Sequence, residues 1–186
     1  MLGPVPAKYR VRKENLYQLE EETPDDQWEV EALLDLCFAP GREALSSYRL
    51  RDRVAMVVPL CLVLRDELAI LAASIRYWPV LVDARPVLLL GPVAVHPTRQ
   101  GEGLGAYLIH SSLAEARLLG WERVLLVGDA PYYSRFGFRK RADVVMPPPT
   151  NPDRVLGFEL VTGAWDGVRA GWNASPADGS CVAAVA

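Results

Sequence analysis

Sulfur is scarce in this chain of 186 residues: its three cysteines, Cys37, Cys61 and Cys181, are odd in number and far apart. That spacing fits neither a metal site nor a disulfide framework. Cys37 and Cys61 lie in apolar stretches, where a thiol reads as a small core residue, and a reducing, cytoplasmic setting is expected. The two histidines, His96 and His110, offer no ligand cluster, so no metal is expected. No window approaches the roughly 18 unbroken apolar residues of a membrane-spanning helix. The opening Met1 to Pro6 runs into Lys8, Arg10, Arg12 and Lys13 without an apolar segment, the reverse of a secretory leader. A basic excess is also lacking, with 20 Lys+Arg against 23 Asp+Glu and a net charge of −3. Nucleic-acid binders carry a basic stripe to displace counterions, so neither nucleic acid nor membrane is an expected partner. Arg49, Arg51 and Arg53 cluster and read as a few arginines on a surface helix.

No internal repeat or long linker divides the chain. With 51% hydrophobic and 23% charged residues, the composition is that of one soluble globular domain. Residues 1–16 read as a loose arm, 17–165 as the domain and 166–186 as a weakly ordered tail.

Tyr17 to Glu20 suggests a first strand. Thr23-Pro24-Asp25-Asp26 carries helix-start marks: a capping Thr, Pro at the first helical position and acids in the first turn. Trp28, Ala32, Leu33, Leu36 and Cys37 fall on one face of that helix, which Pro40-Gly41 ends. Arg42 to Asp52 reads as a second helix. Leu60–Leu64 and Leu68–Trp78 predict an antiparallel hairpin joined by Arg65-Asp66-Glu67. Pro86 to Val95 is apolar at nearly every position, as in a strand covered on both faces. A helix over Gly103–Leu119 follows, with an apolar stripe of Leu108, Ile109, Leu113, Ala116 and Leu119 and Gly120 as its cap. Arg123–Val127 is another buried strand. Strand, helix and strand form a parallel crossover, so the expected class is α/β with a mixed sheet.

Two features carry chemistry. Gly91-Pro92 interrupts a strand that otherwise reads as central, and proline cannot donate to a ladder. A bulge accommodates it; so does a simple strand break. Next, Arg99-Gln100-Gly101-Glu102-Gly103-Leu104-Gly105 opens the long helix. A helix start offers unpaired amides and the positive end of a dipole to phosphate. The glycines alternate and do not follow a dinucleotide-fold G-x-G-x-x-G, and no Lys-Ser/Thr pair closes the loop. Read by itself, the loop serves equally well as a structural turn.

The whole segment Val95 to Gly105 resembles the acetyl-CoA signature of the GNAT superfamily of N-acetyltransferases, Gln/Arg-x-x-Gly-x-Gly/Ala, matched at Gln100, Gly103 and Gly105. Asp129 to Phe138 resembles that family's Tyr-x-x-x-Gly-Phe segment, and the chain looks most like its bacterial YhbS-like branch. The resemblance implies a mixed sheet with bulged, splayed central strands flanked by helices. It implies acetyl-CoA as co-substrate, with Val93 and Val95 lending backbone groups to the pantetheine arm and thioester. The amides of Gln100, Gly101, Glu102, Gly103, Leu104 and Gly105 would hold the pyrophosphate. Tyr133, four residues before Gly137, falls at the family's general acid, where a phenol protonates the departing thiolate. The alternative for Tyr133 and its neighbour Tyr132 is packing on a short helix.

Many family members place a carboxylate base on the bulged strand, yet Val87–Val95 contains none. Ordered water could take the amine's proton instead. Asp129 is the nearest helper, though an Asp there also caps a helix. Arg42, Arg76 and Trp78 either line an acceptor pocket or serve the structure, while His96 reads as exposed and His110 as packing or surface. The expected activity is direct transfer of an acetyl group to a small-molecule or peptide amine, in a chain that could pair as a homodimer. The competing reading is an acyl-CoA-binding regulator without catalysis.

Overall fold

In chain order the elements are β1 (Tyr17–Glu21), α1 (Gln27–Cys37), α2 (Ser46–Arg49), β2 (Leu62–Asp66), β3 (Leu71–Val82), β4 (Arg85–Val95), α3 (Leu104–Leu118), β5 (Arg123–Val127), α4 (Ala130–Tyr133), β6 (Arg139–Lys140) and β7 (Val155–Glu159). This computed structural model describes residues 16–38, 41–44, 46–51 and 53–168. Residues 1–15 of the expected arm, Pro40, Asp52, Cys181 and the end of the tail lie outside the described residues. The strands form one seven-stranded mixed sheet in the order β1-β2-β3-β4-β5-β7-β6. By contacts the chain gathers into two units.

The first unit holds the chain up to Arg42, Met56–Tyr77 and Gly91–Glu115. β1 pairs antiparallel with β2, setting Tyr17 opposite Asp66, and β2 pairs antiparallel with β3. The start of α1 follows the sequence marks: a short 3-10 turn, Pro24–Asp26, precedes it. Asp26 Oδ2 accepts from both the amide and the hydroxyl of Thr23. Its buried face differs from expectation. Val30, Leu33 and Leu34 pack with Val63, Leu71 and Ala94, with Cys37 partly covered beside them. Trp28 and Leu36 instead stand 72% and 56% exposed. Two stripes of apolar residues overlap on this helix at Leu33 and Cys37, and the sheet covers the one that also contains Val30 and Leu34.

The hairpin is shifted from its expected bounds. Asp66 Oδ1 accepts from the amides of Leu68 and Ile70, Ala69 takes φ 61°, and β3 begins at Leu71. Leu68 and Ile70 are therefore exposed turn residues. A carboxylate that satisfies two turn amides outweighs the apolar character of the residues bearing them. On α3, Leu108, Ile109 and Leu113 are buried as the stripe predicts, and Ser112 Oγ meets the Tyr77 hydroxyl at 2.8 Å.

The second unit holds Glu43–Ala55, Trp78–Leu90 and Ala116 onward. The predicted second helix is short here, with Arg51 beyond its end and its guanidinium 4.4 Å from the ring centroids of both Tyr48 and Trp78. Arg53 follows with φ 58°. Of the three arginines only Arg49 thus lies within the helix. β3 turns into β4 through Asp83 and Ala84, whose φ angles of 53° and 57° are the mark of a two-residue type I′ hairpin. β4 and β5 run parallel, in register at Leu88↔Val124 and Leu89↔Leu125. β5 pairs antiparallel with β7, which also pairs with β6. Gly120, φ 80°, closes α3 as its sequence position implies.

Candidate active site

β4 does not break at Gly91-Pro92. It runs from Arg85 to Val95, with Gly91 at φ 119°, a backbone state that glycine adopts without a Cβ penalty. Beyond it Val93 and Val95 are half-buried. The Val95 carbonyl accepts from Cys37 Sγ at 3.3 Å and from Gln100 Nε2 at 3.4 Å. The signature glutamine therefore ties its loop back to the strand that feeds it.

After β4 the chain makes a 3-10 turn, Pro97–Arg99, capped by His96, whose Nδ1 faces Thr98 Oγ1 at 2.8 Å and accepts from the Thr98 amide. His96 is thus a capping residue. Gly101 and Gly103 follow with φ 85° and 87°, and a Cβ at either would meet no protein atom within 4 Å. Their conformation, not crowding by protein, calls for glycine. The first amide to reach back into the helix is that of Tyr107, 3.0 Å from the Gly103 carbonyl. Leu104, Gly105 and Ala106 precede that bond, so their amides are free of the helical ladder and aligned with its dipole. The Glu102 amide is 3.4 Å from the Arg99 carbonyl, a weak bond. The Glu102 carboxylate accepts from the Tyr17 hydroxyl at 2.8 Å, and Arg99 reaches Asp66 Oδ2 at 2.8 Å. Neither tie was foreseen, because both depend on the pairing of Tyr17 with Asp66, residues of two strands far apart in the chain.

In the second unit, β5 ends at Val127 and Gly128 leads into α4. Asp129 caps α4, its Oδ2 accepting from the Tyr132 amide at 3.1 Å. Tyr133 ends the helix with its ring edge-on to those of Tyr132 and Phe138, at 5.0 and 5.8 Å between centroids. A Cβ at Gly128 would stand 2.8 Å from Tyr133 Cδ2 and 2.9 Å from Leu126 Cδ1, so only glycine leaves room for the ring. Burial pushes the Tyr133 phenol well above its usual range, and the nearby Arg154 offsets that in part. The phenol is therefore protonated throughout the neutral range. Tyr132 is also raised by burial, with Arg135 stacked 4.4 Å over its ring pulling the other way.

The residues once open to an acceptor role have structural work. Arg76 is buried and forks onto both oxygens of buried Glu22, at 2.6–3.0 Å, while its other nitrogen meets Glu31 at 2.5 Å. Arg42 joins Glu31 and Asp35 at 2.7 and 2.8 Å. Burial alone would raise the Glu31 carboxyl, but hydrogen bonds from Arg76 and Arg42 hold it below the usual range. Trp78 serves as a platform for Arg51. Among the described residues, no three His, Cys, Asp or Glu side chains are grouped as metal ligands, and no helix is long and apolar enough to cross a membrane.

A strand with a positive-φ glycine that feeds a glycine loop at a helix start defines a class, and comparison with known proteins identifies it. Residues 59–140 match the model of the acetyltransferase (GNAT) domain. The uncharacterised N-acetyltransferase YhbS of Escherichia coli strain K12 is 31% identical over 123 residues, covering 65% of this chain and 72% of YhbS. YjhQ of the same organism, also named an uncharacterised N-acetyltransferase, is 40% identical over 57 residues, 31% of this chain and 32% of its own. The crystal structure of E. coli YhbS in complex with CoA superposes with a TM-score of 0.73 at 26% identity, over 83% of this chain and 87% of that one. A GNAT acetyltransferase from Brucella melitensis in complex with acetyl-CoA gives 0.58 at 30% identity, over 81% and 98%. The chain belongs to the GNAT acetyltransferase family.

Proposed function

We propose that this protein transfers the acetyl group of acetyl-CoA to a primary amine by direct attack within a ternary complex. The observation that carries the reading is the loop Gln100–Gly105: two glycines at positive φ and the free amides of the α3 start, in the segment that bears the family signature. The amides of Gln100, Gly101, Glu102, Gly103, Leu104 and Gly105 hold the pyrophosphate, and Val93 and Val95 lend backbone groups to the pantetheine arm. The complexes of related proteins with CoA and acetyl-CoA support the choice of cofactor.

In the reaction the amine nitrogen attacks the thioester carbonyl, a C–N bond forms, and the C–S bond breaks. Tyr133 gives its phenolic proton to the departing thiolate. The proton lost by the amine leaves through water, since β4 carries no carboxylate and Asp129 is engaged as a cap. The acceptor is a small-molecule or peptide amine. A cytoplasmic setting suits Cys37 and Cys61, which are free thiols.

Incubation with acetyl-CoA and a panel of polyamines, amino acids, aminoglycosides and peptides, read by thiol release, tests this. Acceptor-dependent release is the expected result. Tight CoA binding without turnover on any amine would instead favour a CoA-binding regulator.

A further inference from the structure

The proposed pyrophosphate loop contains an acid in its middle. Glu102 lies between the two positive-φ glycines, where a carboxylate close to a bound pyrophosphate would repel it. The structure holds that carboxylate aside. Its Oε2 accepts from the Tyr17 hydroxyl at 2.8 Å, and its Oε1 lies 4.0 Å from the Arg99 guanidinium. Arg99 is in turn fixed by Asp66, a buried side chain whose other oxygen is held by two turn amides. Tyr17 and Asp66 stand opposite each other in the β1–β2 register. One strand pair therefore grips two loop side chains three residues apart, Arg99 and Glu102. Burial and the Glu102 hydrogen bond both raise the Tyr17 phenol above its usual range, so it stays a donor.

We propose that Tyr17 is a positioning residue for CoA binding, holding the Glu102 carboxylate off the amides that receive the pyrophosphate. This inference rests on the pyrophosphate reading above. It explains why a loop built for an anion tolerates an acid, and why the first residue of the first strand carries a phenol that points to a loop 85 positions later.

The test measures CoA affinity by calorimetry for the wild type, Tyr17→Phe and the double variant Tyr17→Phe/Glu102→Gln. Tyr17→Phe keeps the ring but frees the carboxylate, and CoA should bind on the order of tenfold more weakly. The double variant keeps every loop amide and removes the charge, so affinity should return to within about twofold of wild type. Pantetheine, which lacks the pyrophosphate, should bind all three proteins alike by ligand-observed NMR. Unchanged CoA affinity in Tyr17→Phe overturns the proposal, as does a double variant no better than the single one, or an equal loss for pantetheine. Gly103→Glu separates this outcome from failure of the loop itself. Wild-type affinity there would remove the pyrophosphate site, whereas lost affinity there beside an unaffected Tyr17→Phe would remove only the role of Tyr17.

Discussion

Gly101 and Gly103 hold φ angles of 85° and 87° with no heavy atom within 4 Å of where a Cβ would stand, whereas Gly128 would drive a Cβ into the Tyr133 ring at 2.8 Å. In the loop, glycine supplies a backbone conformation and leaves open surface, and the fixed positions come from charged side chains around it. Beside Tyr133, glycine supplies space, and the neighbouring aromatic rings do the fixing. The proposed roles follow the same division. A phosphate needs amides that can be approached, while an acid needs one hydroxyl held still in a dry setting.

The largest expected effect lies in the aromatic region. Tyr133→Phe keeps the ring contacts and removes the proton donor, so kcat should fall by a factor on the order of 10² to 10⁴. Since the interaction exists only in the transition state, kcat and kcat/KM should fall together and CoA affinity should hold. The raised phenol also predicts a pH–rate profile without a descending limb from this group below about pH 10, the ordinary phenol value. Tyr132→Phe serves as the control and should turn over like wild type. Full turnover in Tyr133→Phe, with chemistry rate-limiting, would hand the proton to water.

The loop gives the next effect. Gly103→Glu puts a carboxylate among the amides and removes charge-assisted bonds worth about 1.5–3 kcal/mol each. CoA titration should detect no binding, and the circular dichroism spectrum should match wild type. A smaller loss should follow Gly128→Ala. Overpacking of this kind costs about 1–3 kcal/mol of stability, and a displaced Tyr133 ring should lower kcat while CoA still binds. Thermal unfolding together with the kcat/KM split would show which of the two variants acts on cofactor binding and which on the chemical step.

How much of this could be read from the chain depends on how local each determinant is. The loop, the long helix, the α4 cap at Asp129 and the position of Tyr133 are set by residues adjacent in sequence, and they stand where the sequence puts them. β7 was not foreseen. Val155-Leu156-Gly157-Phe158-Glu159 is short and has a glycine at its centre, usually a weakening residue in a strand. That glycine makes room for Arg141 Cγ, which would lie 2.7 Å from a Cβ. The exposure of Trp28 and Leu36 was equally hidden, because periodicity gives the angle between residues and not the side the sheet will cover. Arg76 reads equally as a pocket residue or a structural one until its fork with Glu22, 54 positions away, is seen. Each of these depends on which segments meet, information that no single stretch contains.

The smallest expected effect separates the two uses of glycine most directly. At Gly101 the obstacle to a side chain is φ 85°, and the space beyond it is open. Asparagine visits the left-handed region more readily than alanine or valine, since its amide can bond locally. Stability should therefore fall in the order Gly, Asn, Ala, Val at position 101, by roughly 1–2 kcal/mol at Ala, although Asn is the larger side chain compared with Ala. At Gly128 the obstacle is volume, so Ala should be tolerated best and Asn and Val worse. Opposite rankings of Ala and Asn in urea unfolding would establish conformation as the constraint in the loop and packing as the constraint beside Tyr133. The same ranking at both positions would mean that the loop is crowded in solution, and the case for an accessible row of amides would weaken with it.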